Sequence, residues 1–201
     1  PDEGKVFIDG ELVSDPFCPL NGHLDEVRKK IGFLFQGAAL LNSLDVFENI
    51  ALPLREHENP GEEEIRRLVM EKLELVGLHD AERKMPAVLS GGMKKRVGLA
   101  RAIVRSPEII LYDEPTAGLD PVTASTINQL IVSMQQKLGV TQILVTHDMS
   151  SAFRCSNRMA MLYQGKVHKL GTPEEFRASD DPVISQFVYG DSEGPLTRDP
   201  K

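Results

Sequence analysis

Ile109-Ile110-Leu111-Tyr112-Asp113-Glu114-Pro115 decides the fold. Glu108 to Tyr112 is short, continuous, apolar and β-rich, the pattern of a buried parallel strand. Two adjacent carboxylates follow at its carboxyl end, where open α/β sheets bind their ligands. One of them suits Mg²⁺, a hard cation that takes oxygen ligands; the other can polarise an attacking water. Taken alone, four apolar residues and Asp-Glu are equally an ordinary strand-to-loop turn.

Outward from this strand the pattern alternates. Downstream, Asp120-Pro121 opens a helix, with Asp as cap and Pro at the first helical position. Ile127, Leu130, Ile131, Met134 and Leu138 mark its inner face, and Gly139 ends it. Val140 to Thr146 is a further apolar strand, ending at His147-Asp148, with a brief helix through Phe153. Upstream, a helix runs from Ser90 to Arg105, and a compact strand from Ile31 to Phe35 ends at Gln36-Gly37. Strands alternating with helices predict an α/β layered core around a parallel sheet.

The rest of the chain is read around this core. Lys5 to Val13 is a strand-turn-strand about Asp9-Gly10. Ser14 to Leu24 is a loop, and Asp25 to Lys30 a short charged helix. Asn42 to Leu54 is helical, capped by Ser43 or Asp45, and His57 to Gly61 is a polar break. Glu62 to Val76 has the 3.6-residue period, with Lys72 as the polar exception on its inner face and Gly77 as the stop. Arg158 to Leu170 is a hairpin about Gln164-Gly165. Two small helices follow, Pro173 to Ala178 and Pro182 to Val188.

Composition narrows the class. The 201 residues carry 23 basic and 30 acidic side chains, a net charge of −7. That balance argues against a general nucleic-acid binder, which carries a basic surface. The two cysteines, Cys18 and Cys155, exclude a disulfide scaffold and read as inert. His23, His57, His79 and His168 have no metal-ligand spacing and read as surface residues. No apolar run approaches the ~18 residues of a membrane helix. The chain opens at Pro1 directly on a strand pattern, which reads as an internal position of a longer protein.

Val88-Leu89-Ser90-Gly91-Gly92-Met93 is the second chemistry-bearing stretch. A capping Ser followed by two glycines leaves backbone N–H groups bare at a helix start, an anion site. A plain cap explains Ser90 but not two glycines in the first turn, each costing roughly 1 kcal/mol of helix stability. His147 and Gln36 each end a strand; singly, each reads first as a loop residue.

In order, Gln36, Leu89-Ser90-Gly91-Gly92, Asp113-Glu114-Pro115-Thr116, Gly118-Leu119-Asp120 and Thr146-His147-Asp148 resemble the Q-loop, signature, Walker B, D-loop and H-loop of an ABC-transporter ATPase domain. The resemblance spans Lys5 to Leu170. Phe35 to Glu56, Met93 and the ending Asp180 to Phe187 are similar to the Mla/Mce-type phospholipid-transport branch. The implied fold is a P-loop NTPase (RecA-like) α/β core with a helical subdomain at about 51–105, within a domain over 1–189, and a loose tail at 190–201. The family's phosphate loop, G-x-x-x-x-G-K-[ST], does not occur in the 201 residues. Pro1-Asp2-Glu3-Gly4 resembles the turn after that loop's helix, so the expectation is a domain without its first strand, phosphate loop and first helix, and weak ATP binding by these residues alone.

The resemblance also implies a mechanism. Two domains pair head-to-tail around two ATP molecules. Asp113 holds Mg²⁺, with Gln36 as a further contact to metal or water, and Glu114 polarises the attacking water. Ser90, Gly91 and Gly92 face the partner's γ-phosphate, His147 contacts the γ-phosphate, and Asp120 lies at the dimer seam. Ala38 to Arg55 faces transmembrane permease subunits. The protein is then an ATP-hydrolysing subunit on the cytoplasmic face of the inner membrane, attached through the permease and not inserted in lipid. The alternatives are an importer for another substrate, a non-transport relative acting on DNA or ribosomes, or a catalytically incompetent interaction module.

Overall fold

The computed structural model describes residues 3–14, 24–58 and 60–197. The loop read between Ser14 and Leu24, with Cys18 and His23, lies outside the described residues apart from its two ends. So do Pro1, Asp2 and the last four residues. Two compact units are resolved, 1–145 and 146–201.

In the first unit a hairpin leads, β1 (Val6–Ile8) and β2 (Glu11–Ser14). Asp9 and Gly10 both have positive φ, 49° and 78°, as a two-residue hairpin turn requires. After α1 (Leu24–Lys29) comes β3 (Ile31–Leu34), then α2 (Val46–His57), α3 (Glu62–Leu75) and α4 (Gly91–Ile103). The unit closes with β4 (Ile109–Asp113), α5 (Pro121–Leu138) and β5 (Thr141–Val145). The sheet order is β3-β4-β5, all parallel, with Leu34 beside Tyr112 and Asp113 beside Val145.

The central strand is not buried on both sides as its apolar run predicts. Ile110 and Tyr112 are sealed, while Ile109 and Leu111 are half-buried. The sealed face lies under α4 and α5. Gly98 of α4 sits against Leu34 and Ala38, and the Gln142 amide donates to the Tyr112 hydroxyl and the Ile131 carbonyl of α5. The opposite face carries Phe33 and Phe35, their rings tilted at 36° with centroids 4.3 Å apart, and Ile143 and Val145, which are 53% and 59% exposed. The continuous apolar run reflects this second face, not a second covering layer among the described residues.

Helix boundaries follow their caps. Asp45, not Ser43, starts α2 by accepting from the Glu48 N–H, and the helix runs past Pro53 to His57. Asn49, fully buried, fastens the preceding turn through Leu41, Leu44 and Asp45. These bonds hold residues 42–45 outside the helix that the sequence pattern extends over them. Gly77 takes the left-handed conformation after α3 (φ 65°), and Arg96 of α4 donates to the Val76 and Gly77 carbonyls there. Lys72 is buried as its position predicts, with its ammonium paired to Glu71 at 2.7 Å. On α5, Leu138 is exposed and the buried set is Ile127, Asn128, Ile131 and Met134.

The second unit comprises α6 (Met149–Cys155), the hairpin β6 (Met159–Tyr163) and β7 (Lys166–Gly171), α7 (Pro173–Arg177) and α8 (Pro182–Tyr189). His168 is exposed, as read, and it has partners. It bonds Asp181 at 3.0 Å and meets the Tyr163 ring edge-on. In the segment read as a loose tail, 190–201, the described residues up to Thr197 bond back to α8. The buried Gln186 side chain accepts from the Leu196 N–H and donates to Asp191 O and Thr197 Oγ1. A buried amide needs those partners, and the chain folds back to provide them. No helix among the described residues is long and apolar enough to cross a membrane.

Candidate functional site

The carboxyl ends of β3 and β4 lie side by side, so the register brings Gln36 and Asp113-Glu114 to the same sheet edge. Asp113 closes β4 and is half-buried. Glu114 stands in the left-handed region at φ 44°, while its N–H donates to the Val145 carbonyl at 2.9 Å. A non-glycine residue there carries about 1–3 kcal/mol of strain, held in place by its surroundings. Gln36 is exposed and leads through Gly37 into a turn where Ala38 and Ala39 are also left-handed, at φ 61° and 46°.

Helix α4 binds both turns. The Lys95 ammonium, on a residue 5% exposed, donates to the Gln36 carbonyl and to the Glu114 carbonyl at 2.9 Å. Burial pushes its pKa below the ordinary lysine value, while the charges of Glu114 and Asp113 pull it back up. Farther along α4, Arg101 donates to Ala38 O at 2.6 Å and Ala39 O at 2.8 Å. Sequence reasoning missed both cations. Their signal is positional for Lys95: it lies on the stripe Gly92, Lys95, Gly98, Leu99, Ala102, otherwise small or apolar and buried.

At the start of α4, Ser90 Oγ accepts from the Met93 N–H at 3.3 Å, so its hydroxyl proton remains available to an outside acceptor. Ser90 and Gly91 are exposed. Gly92 is buried, and a Cβ there would lie 2.6 Å from Thr123 Cγ2 of α5. The second glycine therefore has a packing reason, since a side chain there would press on α5. Asp120 caps α5, accepting from the Val122 and Thr123 N–H groups, both at 3.0 Å, and from Thr123 Oγ1 at 2.5 Å. The Thr123 hydroxyl first, and these N–H bonds, hold its pKa below the usual carboxylate value. Gly118 ahead of it has φ 75°.

His147 lies in the second unit, beside Asp148, which caps α6 through Ser150 N and Ser151 N. Cys155 is half-buried, and burial pushes its thiol up to about 11, so it is a protonated, poor nucleophile at neutral pH, as read.

Among the described residues no three His, Cys, Asp or Glu side chains converge into a metal cage. The donors on hand, Asp113 and the Gln36 amide, are hard oxygens. They fit Mg²⁺, which takes one or two protein oxygens and completes its shell with water and phosphate. A groove of about 370 Å³ opens beside the Gln36 turn, lined by Phe35, Leu41, Leu52, Pro53, Arg101 and Arg105.

Comparison with known proteins agrees with this fold. The "ABC transporter" family profile matches residues 1–117. The "probable ribonucleotide transport ATP-binding protein mkl" of Mycobacterium leprae is 43% identical over 98% of this chain, which covers 56% of that protein. The "intermembrane phospholipid transport system ATP-binding protein MlaF" of Haemophilus influenzae is 40% identical over 98% of this chain and 73% of its own length. Its Escherichia coli K12 counterpart is 38% identical over 98% of the chain and 72% of that protein. The chain thus spans little more than half the length of the mycobacterial relatives. Among solved structures, cbiO1 of Clostridium perfringens, part of the ABC transporter complex cbiONQ, superposes with TM-score 0.79 at 31% identity, over 92% of this chain and 72% of that one. The ATP-binding cassette MJ0796, a dimer bound to ADP and Pi, superposes with TM-score 0.75 at 34% identity, over 86% and 75%. With the ordered motifs set on the ends of a parallel sheet and on the start of α4, the chain belongs to the ABC transporter ATP-binding family.

Proposed function

We propose that the full-length protein hydrolyses ATP to drive a membrane transporter, and that the cargo is phospholipid. The observation that carries the cargo is the 38–40% identity to MlaF proteins across 98% of the chain. In this reading Asp113 and Gln36 hold Mg²⁺, which neutralises charge on the phosphate oxygens. Glu114 orients and polarises the attacking water; its fixed backbone suits a reaction in which placement does most of the catalysis. Ser90, Gly91 and Gly92 offer a hydroxyl and N–H groups to the γ-phosphate held by a second copy, in a head-to-tail dimer. Asp120 lies at that seam, and His147 contacts the γ-phosphate. Residues 51–105 form the helical subdomain within the domain over 1–189. The groove beside Gln36, to which Ala39, Leu41, Leu52 and Pro53 of the Ala38 to Arg55 region contribute, receives a short helix of a transmembrane permease, with the subunit on the cytoplasmic face of the membrane.

The test is transport itself. The full-length protein, reconstituted with its permease in liposomes containing fluorescent phospholipid, should move the label to acceptor vesicles with ATP and not with ADP. A second reading, ribonucleotide as cargo, is favoured by the 43% identity to the mycobacterial proteins. ATP-driven uptake of a labelled ribonucleotide without lipid transfer would replace the first reading with the second.

Ser90→Arg tests the dimer. It removes a helix cap, a loss of about 1 kcal/mol, and places a bulky cation at the exposed start of α4. The full-length variant should bind ATP like wild type yet remain monomeric with ATP in analytical ultracentrifugation. An ATP-dependent dimer of the variant would remove Ser90 from the interface.

A further inference from the structure

We infer that Lys95 is a positioning residue for ATP hydrolysis, aligning Glu114 and tying its setting to that of Gln36; this rests on the ATPase reading above. The ammonium is buried, and the partners the geometry gives it are two main-chain carbonyls at the ends of adjacent strands, those of Gln36 and Glu114. Burying a charge is costly, and an apolar side chain of similar length would fill the site at less cost if packing were its only task. What the ammonium does that an apolar chain cannot is hold two carbonyls at once. One belongs to the residue with the strained φ of 44°, whose side chain must be aimed at water. The other begins the turn in which the Ala38 and Ala39 carbonyls are held by Arg101 of the same helix. Helix α4 also starts at Ser90-Gly91-Gly92. A displacement of α4 when its first turn engages a phosphate is therefore passed through Lys95 to the backbones of both Gln36 and Glu114. The side chain touches neither nucleotide nor water in this role; it acts through Glu114.

The full-length protein with Lys95→Met and Lys95→Gln separates this role from a structural one. Lys95→Met keeps the stem and deletes the donors. It should lower kcat ten- to a hundredfold while KM and the ATP Kd stay within threefold. Lys95→Gln, whose amide can still donate, should recover kcat to within about fivefold of wild type, and it carries the test if Lys95→Met does not fold. A residue that acts through Glu114 must also be silent without it, so Lys95→Met should leave the residual turnover of Glu114→Gln unchanged. If Lys95→Met and Lys95→Gln only lower the melting temperature, with kcat per folded molecule at the wild-type value, the positioning role is overturned. It is also overturned if Lys95→Met slows Glu114→Gln by the same factor as it slows wild type. A wild-type protein that neither binds nor hydrolyses ATP defeats the ATPase reading, and the role of Lys95 falls with it.

Discussion

Glu114→Gln in the full-length protein should bind ATP within a few-fold of wild type and hydrolyse it at least about a hundredfold more slowly, the range general-base assistance supplies. The substitution is nearly isosteric. It leaves the Glu114 N–H bonded to Val145 O and its carbonyl bonded to Lys95, so the strained turn is retained. What it removes is the negative charge that, in the proposed mechanism, polarises water. Binding rests on other groups and stays. Equilibrium titration with a fluorescent nucleotide and steady-state phosphate release check the two halves separately. A kcat within threefold of wild type would take the catalytic carboxylate away from Glu114.

Gly32→Ala should be the most destabilising single methyl addition in the β3–α4 contact. A Cβ at Gly32 would fall inside the contact distance of the Ala102 carbonyl oxygen and lie 3.1 Å from Pro107 Cγ. The carbonyl is α4 main chain and cannot rotate aside, so strand and helix must separate. Overpacking of this kind costs about 1–3 kcal/mol, sometimes more, and this site belongs at the upper end. The urea midpoint should fall with the slope unchanged. Gly98→Ala is the control: its new Cβ meets the tip of Leu34, at 2.8 Å, and Ala38 Cβ, at 3.1 Å, and alanine favours the helix. Its loss should be about 1 kcal/mol or less. Equal losses at the two positions would contradict the packing described for Gly32.

Much of this was legible in the sequence, and the reason is local chemistry. Asp45, Ser90 and Asp120 announce helix starts because a short acceptor side chain must satisfy N–H groups two or three residues on, and each does so. Asp9-Gly10 and Gln164-Gly165 mark hairpin turns because both positions need positive φ, and both have it. The carboxylates and Gln36 share a sheet edge because parallel strands carry their carboxyl ends together. What was hidden depends on partners far away in the chain. The Lys95 ammonium reaches carbonyls 59 and 19 residues distant, and carbonyls have no sequence signature. The strain at Glu114, Ala38 and Ala39 is equally silent, since these residue types do not favour the left-handed region. The second glycine of Ser90-Gly91-Gly92 was legible as unusual, but the contact with Thr123 behind it was not.

The open face of the β3-β4-β5 sheet has a colloidal meaning. Phe33, Phe35, Ile143 and Val145 make it the kind of surface to which detergents, hydrophobic resins and other copies of the chain adhere. The force opposing such adhesion is the net charge of −7, which keeps molecules apart over a range of about 10 Å in 0.1 M salt. Added salt shortens that range and leaves the apolar face untouched. Dispersal of these residues in solution therefore rests on repulsion between molecules, and ionic strength weakens it.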